Sequence, residues 1–259
     1  MKLNLYQIDA FAKNIFEGNP ACVCPLDEWI ADDIMQKIAN ENNLSETAFF
    51  VNDKDDYYIR WFTPSNEVDM CGHATLASAY VIFNILNYQK DEIIFNSKSG
   101  ILKVTKDKNI YKMNFPTQEI VKCDTPENLL KAFKIEPKEC YKSMDYILVF
   151  EKEEDIINAT PNMELLKNID NRGVIITAKS KNYDFVNRFF APKYGINEDP
   201  VTGSAFTQLV VYWSKVLNKN IFKAKQVSQR GGEVFCKLQN NRVEISGYAK
   251  KYFDGIIEI

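Results

Sequence analysis

Ile59-Arg60-Trp61-Phe62-Thr63-Pro64-Ser65-Asn66-Glu67-Val68-Asp69-Met70-Cys71-Gly72-His73-Ala74-Thr75 decides how this chain is read. It opens as an aromatic and β-branched run, the composition of a strand. A polar turn around Pro64 follows. The stretch then leads tightly into a helix expected from residue 74 to about residue 86. Leu76, Tyr80, Val81, Phe83 and Leu86 leave that helix almost no polar side. A helix that is apolar all round belongs inside a domain, and a sheet wrapped around it would bury it. The stretch also contains His73, the only histidine in the protein.

A second copy of this outline lies downstream, at Asn187-Arg188-Phe189-Phe190-Ala191-Pro192 and Asp199-Pro200-Val201-Thr202-Gly203-Ser204-Ala205. Another broadly apolar helix is expected over residues 204–216. Setting Pro64 on Pro192, an offset of 128, aligns Arg60-Trp61-Phe62 with Arg188-Phe189-Phe190 and the strand-like residues 44–51 with 172–179. Three inserted residues then bring Gly72-His73-Ala74 onto Gly203-Ser204-Ala205. Agreement across strand, proline, turn, glycine and helix implies an internal duplication. Two similar domains are therefore expected, residues 1–117 and 118–259, with the last strand able to return to the first. A small-molecule site would lie in the cleft between them.

The glycine ahead of each helix has a mechanical use, because it lets a backbone come close to a ligand. The first N–H groups of a helix attract an anion such as a carboxylate. The plainer reading is N-capping, with Thr202 or Ser204 capping one helix and Gly72 closing a turn before the other. Upstream, Leu44-Ser45-Glu46-Thr47-Ala48-Phe49-Phe50-Val51 is a β-prone run carrying one acid. That carboxylate either points to solvent from an edge strand or is a buried general acid/base.

Elsewhere, a first strand over residues 3–11 is broken at Glu17-Gly18-Asn19-Pro20, and a helix is expected over residues 27–42. Three strands should follow the first apolar helix, and the region beyond residue 117 restarts with short helices at residues 128–133 and 163–168. Residues 155–157 read as a polar connection. The formal charge of −3, without a Lys/Arg run, gives no electrostatic reason to bind nucleic acid. No segment approaches the roughly 18 apolar residues of a membrane span, and the alternating Met1-Lys2-Leu3-Asn4-Leu5-Tyr6-Gln7-Ile8 lacks a signal core. A cytoplasmic protein is the expectation, its six scattered cysteines reduced. Cys22 and Cys24 lack further ligands nearby for a zinc site and read as buried strand residues, so no metal is expected.

Met70-Cys71-Gly72-His73-Ala74-Thr75-Leu76-Ala77 and Glu198-Asp199-Pro200-Val201-Thr202-Gly203-Ser204-Ala205 resemble the two signatures of the phenazine-biosynthesis PhzF-like isomerase/epimerase family. Asn43-Leu44-Ser45-Glu46-Thr47-Ala48-Phe49 resembles its third. Gly18-Asn19-Pro20-Ala21 and Ser228-Gln229-Arg230-Gly231-Gly232 extend the likeness over essentially the whole chain. The resemblance implies an α+β, diaminopimelate-epimerase-like fold: two pseudo-repeated domains, each a barrel-like, mostly antiparallel sheet around a central apolar helix. It implies a cofactor-independent, biosynthetic-type isomerase, commonly a homodimer, acting on a small carboxylic acid. At matching positions Glu46 is the general acid/base. Gly72, His73, Asp199, Gly203 and Ser204 are the substrate contacts.

Two departures stand out. Epimerases and racemases of this fold use two opposed cysteines, whereas here Cys71 is matched in the second half by Thr202. A racemase using Cys71 is therefore the weaker alternative. After the glutamine-glycine turn near the C-terminus, where family members often have glycine-arginine, this chain has Gly231-Gly232-Glu233, so substrate contacts from that loop are not expected to carry over. A binding protein of the same fold without turnover is the remaining alternative; Glu46, His73, Asp199 and Ser204 retained together argue for chemistry.

Overall fold

The apolar pattern of the opening stretch produces a buried helix, and the strands it packs on define the first half of the computed structural model, which describes residues 1–259. Contacts divide the chain into two units, Met1–Asn114 with Ser246–Ile259, and Phe115–Ile245. The first unit runs β1 (Lys2–Ala10), β2 (Asn19–Leu26), α1 (Asp32–Asn42), β3 (Glu46–Asp53), β4 (Asp56–Phe62), β5 (Glu67–Val68), α2 (Gly72–Asn84), β6 (Glu92–Ser97), β7 (Gly100–Asp107) and β8 (Ile110–Pro116). Its C-terminal strand, Ala249–Glu258, pairs antiparallel along the whole of β1.

β2 and β3 run parallel, joined by the crossover helix α1. α1 packs on β3 and β4, while α2 packs on β1, β2 and β3. Covered on both faces, β3 reads as an unbroken apolar run, Ala48-Phe49-Phe50-Val51, instead of alternating. Side chains of a strand still take opposite faces in turn. Phe49 and Val51 join Cys22, Cys24, Met35 and Ile38 under α1, so Glu46 and Ala48 are turned to the other face, that of α2. Gly18 closes the β1–β2 turn at φ +70°, where an added Cβ would sit 2.1 Å from the Ala10 carbonyl oxygen.

The second unit runs β9 (Val121–Cys123), α3 (Glu127–Phe133), β10 (Glu139–Lys142), β11 (Tyr146–Val149), α4 (Glu153–Ile157), α5 (Met163–Lys167), β12 (Val174–Lys179), β13 (Phe185–Ala191), a 3-10 turn (Pro192–Tyr194), β14 (Ile196–Asp199), α6 (Gly203–Leu217), β15 (Ile221–Gln226), β16 (Gly232–Gln239) and β17 (Arg242–Gly247). The C-terminal strand of the first unit is thus β18. Its pairings repeat those of the first unit. β10–β11 is antiparallel as β1–β2 is, β11–β12 parallel as β2–β3, β12–β13 antiparallel as β3–β4, and β13–β15 parallel as β4–β6. The same arginine recurs too. Arg60 forks onto Glu67 over the Phe62 ring, and Arg188 forks onto Glu198 over the Phe190 ring.

Several local expectations shift. α1 begins at Asp32 rather than residue 27; Asp32 and Asp33 occupy its first turn, where acids complement the helix dipole. Trp29 lies outside the helix, half-exposed, with the Arg60 guanidinium 5.5 Å from its ring centre. Residues 155–157, expected as a connection, belong to α4, whose first turn is acidic and whose Asp155 accepts a hydrogen bond from the Lys152 N–H. Glu46 is the first residue of β3 and not an interior one. Cys22 and Cys24 are buried on β2 as the strand reading requires, and burial pushes both thiols up to about 12.

Candidate active site

Alternation along β3 turns Glu46 toward α2, and His73 is the second residue of that helix. The two meet. His73 Nε2 lies 3.1 Å from Glu46 Oε2, with 8% of the histidine side chain and 13% of the glutamate side chain exposed. The separation is that of an ion pair, yet the alignment falls outside hydrogen-bond geometry, so both buried atoms are left without a formal partner. On the other side of the ring, Nδ1 lies 3.4 Å from Cys71 Sγ. Burial alone would lower the His73 pKa; Cys71 and Glu46 together overturn that and hold it well above the ordinary imidazole value. Cys71 goes the other way from a reactive thiol. Burial and the Glu46 charge push it up to about 11 against the opposing pull of His73, so at neutral pH it is a protonated thiol and a poor nucleophile.

The N-cap reading of these helix starts does not hold. Neither Cys71 nor Thr202 makes a side-chain cap hydrogen bond. Thr202 instead donates its hydroxyl to Asp199 Oδ2 at 2.5 Å. Gln226, fully buried at the end of β15, donates to the Asp199 carbonyl at 2.6 Å and accepts from the Thr202 N–H at 2.9 Å. Asn187 on β13 donates to the same Gln226 oxygen. Asp199 is thereby held at the foot of α6, nearly buried. Gly203 opens the helix, and a Cβ built on it would meet nothing within 4 Å, so its bareness leaves open space rather than relieving a clash. The Ser204 hydroxyl accepts a hydrogen bond from Arg172 Nη2 at 2.9 Å.

The residues expected from the sequence thus fall into two constellations. Glu46, Gly72 and His73 gather at the start of α2 in the first unit. Asp199, Gly203 and Ser204 gather at the start of α6 in the second. Sequence reasoning missed the polar residues that hold the second group: Asn187, Gln226, Gln208, Asp145 and Arg172. One signal was present. Asp145 stands directly before, and Arg172 two residues before, the first residues of two apolar strands that pair in parallel, Tyr146 against Val174.

Glu46, Cys71 and His73 also form a possible metal-donor set, their ligand atoms all within 4.8 Å of one another. The imidazole, however, turns one nitrogen to the thiol and the other to the carboxylate. One ion could not take both neighbours through a single ring nitrogen without the ring turning, and the thiol would first have to lose its proton. The arrangement suits proton handling better than metal binding.

Two repeated units, each a mostly antiparallel sheet around an apolar helix, define an α+β, epimerase-like fold. A predicted epimerase from Pseudomonas aeruginosa superimposes with a TM-score of 0.77 at 18% identity, and a hydroxyproline epimerase from Agrobacterium vitis with 0.62 at 10%, likenesses of fold alone. The chain belongs to the phenazine biosynthesis-like (PhzC–PhzF) family, whose model matches residues 8–255. It is 46% identical over 259 residues to an uncharacterized isomerase of Pseudomonas aeruginosa, covering 100% of both chains. A second uncharacterized isomerase, from Halalkalibacterium halodurans, is 43% identical over 96% of each. The crystal structure of a PhzF-family phenazine biosynthesis protein from Enterococcus faecalis superimposes with a TM-score of 0.98 at 43% identity over 100% of both chains. No helix is long and apolar enough to cross a membrane.

Proposed function

We propose that this protein is a cofactor-independent isomerase that moves a proton on a small carboxylic acid, with Glu46 as the general acid/base. The observation that carries this is the buried Glu46–His73 pair, whose facing atoms are 3.1 Å apart and have no other partner. Buried ionisable pairs of this kind cluster at functional sites. Glu46 Oε2 faces His73 while part of the carboxylate surface remains open, so one group can trade a proton with substrate beside a charge that steadies it. His73, with its pKa raised, can offset negative charge developing as carbon loses its proton. Gly72, Asp199, Gly203 and Ser204 are the proposed substrate contacts. Cys71 is not the base: its raised pKa and the Thr202 counterpart both disfavour a two-thiol racemase.

Family membership supports an isomerase and leaves the substrate to experiment, since one fold hosts many reactions. The same reading includes a homodimer, with apolar Tyr252, Phe253 and Ile256 exposed on β18 as surface that a second copy would cover. The test of the chemistry is Glu46→Gln. That variant should keep the wild-type fold by circular dichroism and lose most of its exchange of a carbon-bound proton with solvent. Exchange at the wild-type rate would overturn the assignment.

A further inference from the structure

Asp145 is fully buried just ahead of β11, and such a charge persists only when it is thoroughly paired. Its carboxylate accepts from Arg172 Nε at 2.8 Å and Nη2 at 2.5 Å, and from Gln208 Nε2 at 2.6 Å; its own N–H donates to Gln208 Oε1 at 3.1 Å. The Phe189 ring centre lies 5.2 Å from the guanidinium carbon. Fork and ring together fix the plane of Arg172. Nη2 also donates to Ser204 Oγ, while Nη1 makes no hydrogen bond and a third of the side chain stays exposed.

This arrangement has consequences for Ser204. A hydroxyl oxygen that accepts from a cation turns its own hydrogen elsewhere, and no protein group accepts that hydrogen. A lysine could neutralise Asp145; only a guanidinium can do so while also donating to Ser204 and leaving an edge free. Beside it, Gly203 keeps space open in front of the helix.

We propose that Arg172 is a positioning residue: it fixes the Ser204 hydroxyl as a donor and presents Nη1 alongside, so that together they hold an anionic oxygen of the substrate. This rests on the reading that the substrate is a small carboxylate, and adds to it the group that selects for the anion.

The test is calorimetric binding of two probes, benzoate and inorganic sulfate, to the wild type, Arg172→Lys, Ser204→Ala and the double variant. Arg172→Lys keeps a positive charge for Asp145. The wild type should bind at least one probe, and each single variant should bind it about tenfold more weakly. The double variant should be no weaker than Arg172→Lys alone, because both changes remove one coupled interaction. Binding of neither probe by the wild type, unchanged affinity in Arg172→Lys, or fully additive losses would overturn the proposal. Should Arg172→Lys fail to fold, Ser204→Ala decides, since it removes no partner of a buried charge; unchanged affinity there sinks the idea. Proton exchange is read separately, by comparing the wild type with Glu46→Gln, so lost anion binding and lost proton exchange fail separately.

Discussion

At the scale of single residues, the imidazole of His73 stands between a thiol that keeps its proton and a carboxylate oxygen 3.1 Å away. Because His73 is the only histidine, its ring nitrogens give an unambiguous ¹⁵N signal. The spectrum of the wild type at pH 7.5, about one unit above the ordinary imidazole value, should be that of an imidazolium, and that of Glu46→Gln should be mostly neutral. A neutral ring in the wild type would refute the ion pair. The sign for stability follows from the raised pKa. Below about 6.5 the ring is protonated folded and unfolded, and its contribution is fully present. As pH climbs through the raised folded value the proton leaves and the contribution is lost. The buried thiols act in the same direction: Cys71 at about 11 and Cys22 and Cys24 at about 12 stay protonated in the fold where an unfolded chain would ionise. Denaturation curves should show stability falling from pH 7 upward, with His73→Gln flattening the earlier part of the fall. Cys71→Ala should keep most of the proton exchange. Loss comparable to that of Glu46→Gln would return Cys71 to the chemistry.

At the scale of elements, the repeated arginine fastens strands within each unit. Arg188 forks onto Glu198 and also donates to the carbonyls of Ile156 and Ala159, tying β13 to α4. Its side chain is 12% exposed, against 19% for Arg60, whose further partner Asp32 is exposed. Arg188→Ala should therefore cost about 3 kcal/mol or more, and Arg60→Ala clearly less, in urea unfolding. Gly203→Ala should fold normally, because nothing crowds its Cβ and alanine suits a helix better; under the proposed reading it loses substrate affinity by filling the space the ligand needs.

Element type was legible wherever periodicity was strong. The all-apolar α2 could only be central, and the paired arginine–aromatic–proline strands announced the repeat. Boundaries were less so: Trp29 and Ile30 extended the helical pattern of α1 backwards, although the acids of its first turn mark the start. β5 and β14 are too short for any period to show. Glu46 looked like a charge inside a strand because the sequence carries no sign that β3 begins at that residue. The brace of Asn187, Gln226, Asp145 and Arg172 was hidden for a different reason. Asp145 and Arg172 stand ahead of apolar strands, while Asn187 and Gln226 sit in strands with other polar residues, and only the fold brings them together.

At the scale of the molecule, the first unit is discontinuous, and β18 closes its β1 edge. Removing residues 246–259 would leave the backbone groups of β1 on that side unpaired, which invites aggregation. The truncated chain should lose solubility and unfold at lower denaturant; a soluble chain of unchanged stability would show that β18 is dispensable. Sedimentation of the wild type should show the proposed dimer, and Ile256→Lys should weaken it. The central claim, that Glu46 carries a proton between carbon and solvent, meets its most direct test in mass spectrometry. A pool of small carboxylic acids is incubated in D₂O with the wild type and with Glu46→Gln. The account requires that at least one acid gain a non-exchanging deuterium with the wild type, and that the variant slow this by about 10² to 10⁴-fold. Labelling by Glu46→Gln as fast as by the wild type would contradict it.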